Sequence, residues 1–133
     1  SGAHRSVADA PGTRRGRGVR AAYARVAGAG VSAPDLRARM PLRVVADIHG
    51  DDPRPGDVEP LSIDGVVWGL AMRCPGCGSE SYLALDAQQP EPRWTIQAGD
   101  PRTGVGLTLS PSVHHLHGCG WHGWVRNGVW EPC

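Results

Sequence analysis

The chain contains no phenylalanine and no lysine, and it has no apolar run long enough to cross a bilayer. Its first residues lack the charged, apolar and small-residue series of a secretory signal. These absences lead us to expect a soluble protein that is not secreted through a signal peptide. All 14 basic residues are arginine, which reads as a GC-rich coding bias rather than selection for guanidinium chemistry. With no Phe and two Tyr, the aromatic share of any core falls to the five Trp, each able to bury a large apolar area. Also missing are a Ser/His/Asp order, a phosphate-binding glycine loop and a paired-carboxylate motif. The sequence therefore leads us to expect a non-enzymatic protein with no catalytic residues and no small-molecule substrate.

The 133 residues leave room for one domain and an arm. The net charge of +1 conceals an asymmetry: residues 1–43 carry nine Arg and two Asp, residues 44–133 five Arg and eleven acids. A basic tail on an acidic body suits nucleic acid, an acidic partner surface or the protein's own body. Residues 1–18 are rich in Gly, Arg, Pro and Ala without apolar periodicity. Residues 19–29 are Ala-rich, and Ser32 opens a stretch with cap, early Pro and terminal Arg signals. Short helices are expected in both, but a helix-turn-helix is not, because Pro34 stands where such motifs bury an aliphatic residue. Residues 1–43 thus read as a basic, partly helical arm, with Arg14, Arg15, Arg17 and Arg20 as its partner-binding side chains.

Residues 44–65 read as a linker or loop, and residues 66–133 as a zinc-binding β domain. Short runs such as "VVWGLAMR", "SYLALD", "RWTIQ", "VGLTLS" and "GWVRNGVW" are separated by turn signals. Asn127-Gly128 marks a type I′ hairpin. The fold class expected is mostly β: a small zinc-stabilised β domain with an extended, partly helical arm. The acidic run Asp47 to Asp52, with His49 inside it, reads as a solvated loop.

Cysteine usage carries the sharpest signal. Cys74-Pro-Gly-Cys77-Gly78 has knuckle spacing, and Cys119-Gly-Trp-His122 repeats it with histidine as the second ligand. Without an export signal, metal binding is the better reading than disulfides. The expected site is Cys74, Cys77, Cys119 and His122 around one structural zinc, with His117, Cys133 and His115 as alternative ligands. A Rieske-type cluster is disfavoured, because its first box is C-x-H rather than C-x2-C.

The motif order "CPGCG", "RWTIQAGD", "LTLSPSV", "CGWHGWVRNGVW" resembles a small zinc-knuckle family of unknown function found in bacteriophages and some bacterial operons. The matching positions include Cys74, Cys77, Gly78, Trp94, Gly99, Asp100, Ser110, Pro111, Ser112, Cys119, His122, Trp124, Arg126 and Gly128. The resemblance implies a zinc-knuckle β domain of phage origin and no activity. The function expected is thus a structural module, a virion accessory on a capsid surface or head, with capsid subunits as partners. Its location would be the virion or host cytoplasm. The alternatives are a nucleic-acid-binding factor using the basic arm and a zinc-dependent hydrolase with an open metal position.

Overall fold

The computed structural model describes residues 4–7 and 38–133. The expected helices and the arginines Arg14, Arg15, Arg17 and Arg20 lie outside the described residues. Among the described residues the chain is mostly β, with eleven strands. A five-stranded sheet runs in the order β1 (His4–Ser6), β9 (Ser112–His114), β10 (His122–Arg126), β11 (Val129–Pro132) and β2 (Met40–Pro41). A four-stranded sheet holds β3 (Arg43–Val44), β4 (Asp57–Ile63), β5 (Val66–Arg73) and β6 (Glu80–Ala84), and β7 (Thr95–Ala98) pairs with β8 (Thr108–Ser110).

Local sequence explains the two sharpest hairpins. Asn127 and Gly128 both take positive φ between β10 and β11, as an Asn-Gly type I′ turn requires. Asp64 and Gly65 do the same between β4 and β5, setting Ile63 opposite Val66. The stretch 44–65, expected as a linker or loop, therefore carries a full strand paired along β5. Its Pro- and acid-rich flank hides a strand that is buried at Asp57 and Val58 and runs out to exposed Ser62 and Ile63.

One buried cluster joins the sheets: Val58, Leu70, Met72 and Leu83 from one, Val113, Val125 and Trp130 from another, with Trp94, Leu107 and Leu109 from the β7–β8 region. Trp130 spans the layers, donating its Nε1–H to the Gly56 carbonyl at 2.9 Å and meeting Trp121 edge-on at 5.5 Å. Three charged side chains are buried with partners. Asp57 takes a two-pronged bond from Arg43 at 2.7 Å on each prong. Arg73 donates to the Ile48 carbonyl at 2.7 Å and the Gly78 carbonyl at 3.1 Å, tying the first knuckle to the loop before β4. Glu80 bonds His49 at 2.6 Å, which ties the largely exposed turn at residues 47–52, the solvated loop expected, to the core.

Candidate functional site: a thiol–imidazole cluster beside a serine–histidine pair

β5 ends at Arg73 and delivers Cys74 directly into a tight turn. The Gly78 amide closes the turn on the Cys74 carbonyl at 2.8 Å, and the Gly76 amide points at the Cys74 sulfur at 3.3 Å. Gly78 has φ of +78°, which lets the chain reverse. Cys77 receives Ser79 at 3.0 Å. The loop between β9 and β10 brings the other half: the His115 carbonyl accepts the amides of Gly118 at 3.2 Å and Gly120 at 3.0 Å, curling His115 and Cys119 onto one side.

Cys74, Cys77, His115 and Cys119 present ligand atoms all within 4.8 Å of one another and could hold a metal ion. Cys74 Sγ lies 3.5 Å from Cys119 Sγ; His115 Nδ1 lies 3.8 Å from Cys77 Sγ and 4.0 Å from Cys119 Sγ. Donors on a tetrahedral zinc stand about 3.5–3.8 Å apart. Crowding also drives the titration of these groups. Hydrogen bonds from Cys119, then Cys74, hold the Cys77 thiol far below its ordinary range. The same crowding, Cys119 first, pushes Cys74 far above it. The Cys119 and Cys77 sulfurs raise His115 to about 9. Three thiols so close cannot all ionise without a cation among them.

The fourth member of this cluster is His115, where the sequence spacing led to His122. By residue 122 the chain has already entered β10, and His122 sits opposite His114 on β9 and outside the clustered set. Cys119 instead meets the histidine four residues before it, through the curl of the loop. His117 is exposed in that loop, and Cys133 is exposed at the end of the chain, and neither belongs to the cluster.

His122 is part of a different constellation. Side chains two apart on a strand share a face, and directly paired residues share it too. Ser112, His114 and His122 therefore project from one side of the β9–β10 ladder, opposite the buried Val113 and Val125. Ser112 Oγ lies 2.9 Å from His122 Nε2, and the His122 ring stacks on His114 with centroids 4.6 Å apart. The Ser112 carbonyl accepts the Nε1–H of buried Trp94 at 3.3 Å. Trp124 and Arg126 continue the same face, with the Arg126 guanidinium 4.3 Å above the Trp124 ring. In sequence, this pair is hidden: ten residues separate Ser112 from His122, with a metal loop in between.

Among the described residues, no helix is long and apolar enough to cross a membrane. No curated protein and no solved structure matches the chain. Residues 45–133 match a family model described as the bacterial ubiquitination-like system serine protease, BubE. That match overturns three expectations together: the structural virion accessory, the absence of enzymatic activity, and the phage and capsid setting. The motif order that carried the resemblance to a phage zinc-knuckle family includes Ser112 and His122, but a motif order by itself names no chemistry for them. By a match that spans most of its length, the chain belongs to the BubE family, the serine proteases of bacterial ubiquitination-like systems.

Proposed function

We propose that the protein is a serine peptidase in which Ser112 is the nucleophile and His122 its general base. One observation carries the assignment: the 2.9 Å contact between Ser112 Oγ and His122 Nε2, within the reach that proton transfer requires. With the imidazole proton on Nδ1, the hydroxyl donates to Nε2. Attack of Oγ on a substrate carbonyl carbon forms the C–O bond while the hydroxyl proton passes to Nε2. His122 then returns that proton to the departing amine as the C–N bond breaks. Water, deprotonated by the same Nε2, hydrolyses the Ser112 ester. The stacked His114 ring fixes the plane of His122, and Trp94 fixes the backbone of Ser112. The family's setting makes a protein of a ubiquitination-like system the candidate substrate.

The metal of the Cys74, Cys77, His115 and Cys119 cluster is, on this reading, zinc in a closed structural site, since soft thiolates favour it and all four positions are filled by the protein. Its contribution to catalysis is positional. His115 directly follows β9, and Cys119 lies three residues before His122, so the ion clamps the loop that joins nucleophile strand to base strand.

A fluorophosphonate probe tests the assignment. The probe's phosphorus bonds to Oγ, fluoride leaves, and His122 takes the hydroxyl proton. Labelling of the wild type, its loss in Ser112→Ala, and a drop of at least about 1,000-fold in His122→Ala are expected. Labelling that persists in Ser112→Ala would reject the assignment.

A further inference from the structure

β1 is the outermost strand of its sheet, and it pairs with the strand that carries the nucleophile. The pairing is parallel and sets His4 opposite Ser112, Arg5 opposite Val113 and Ser6 opposite His114. Immediately beyond, the Val7 amide donates to the His114 carbonyl at 3.3 Å, and the Val7 side chain packs on the core cluster. Arg5 reaches Glu91, before β7, at 2.9 Å. Removing β1 would leave β9 as a sheet edge with open backbone groups beside Ser112, the arrangement that receives an extended peptide by strand addition.

Resting on the assignment of Ser112 and His122, we infer that the β9 edge is the docking site for an extended substrate chain, and that His4–Val7 occupies it in cis and shuts off the nucleophile. Two observations support occlusion over simple construction. The segment takes the backbone edge directly beside Ser112, which is only 1% exposed in the fold as a whole. The segment is also poorly secured: its ladder spans three residues, and its one ion pair joins side chains that are 39% and 56% exposed, a kind of contact that contributes little. Such an element opens far more easily than the core it covers. The site's own chemistry describes what fits it: an extended peptide with a cationic side chain placed to meet Glu91 and an uncharged residue beside His114.

The test measures the rate of fluorophosphonate labelling in the full chain. Val7→Pro removes the amide that binds His114 and is expected to raise the rate roughly tenfold. Because that variant also alters packing, the Arg5–Glu91 contact gives a second handle. Arg5→Glu should raise the rate by up to about fivefold, and Arg5→Glu combined with Glu91→Arg should bring it back. A synthetic peptide of residues 1–10, added to Val7→Pro, should slow labelling again. Equal rates in wild type and both displaced variants, with Ser112 labelled throughout, would overturn the occlusion and leave the peptidase assignment standing. No labelling in any folded variant would overturn both.

Discussion

Ser112 and His122 meet because strand geometry leaves them no alternative: one precedes His114 by two residues, and the other pairs with His114 across the ladder. A single substitution can probe the support around them. Trp94→Phe keeps an aromatic ring in the core but deletes the N–H that holds the Ser112 carbonyl. We expect a stability loss of about 1–3 kcal/mol in urea unfolding from the lost hydrogen bond and the smaller ring in the core, together with slower labelling by the serine probe. The two histidines separate cleanly by metal content. His115→Ala should lower the metal bound per chain after dialysis against a weak chelator. His122→Ala should retain wild-type metal while losing reactivity. A reversal of that pattern would return His122 to the metal.

At the scale of elements, the two Asx-Gly hairpins set the register of the strands. Gly128 has φ of +74°, and a Cβ there would meet the Gly104 carbonyl oxygen at 2.9 Å. Gly128→Ala should therefore cost about 1–2 kcal/mol from the left-handed backbone alone, measurable as a lower urea midpoint. The loss should reach the active face as well, because β10 carries His122 and pairs with β11 through this turn. The loop between β9 and β10 is the other sensitive element. Its curl depends on two amides binding the His115 carbonyl and on the cluster that His115 and Cys119 join.

Across the whole molecule, metal, fold and reactivity should move together. A strong chelator is expected to lower the melting temperature and abolish labelling of Ser112, both restored by added zinc. The pH dependence has a defined sign. In the metal-free cluster His115 keeps its proton up to about 9, held chiefly by Cys119 and then Cys77. A metal ion must displace that proton and the one crowding keeps on Cys74, so apparent affinity should fall as pH drops below about 9 and keep rising above it while Cys74 still holds its proton. Competition against a chromophoric chelator across that range would read the slope. An affinity independent of pH would exclude the Cys74, Cys77, His115 and Cys119 set as the ligands.

Spacing alone made much of this protein legible. The alternating runs after residue 66 and the Asn-Gly turn pointed to β structure, and the Cys74–Cys77 knuckle announced a metal-binding turn, because those signals are local. The Asp64-Gly65 turn was equally visible, yet the acidic, Pro-rich residues before it made the flanking strand read as linker. What sequence could not decide were matters of direction and distance. Cys119 lies three residues from one histidine and four from another, and only the curl of the loop selects His115. Ser112 reads as part of a turn motif until β9 and β10 pair and place its hydroxyl against an imidazole. Ligand identity, nucleophile and base all depend on which face each strand turns toward the core. That choice belongs to the burial of Val113, Val125 and Trp130, a property of the packed molecule rather than of any segment.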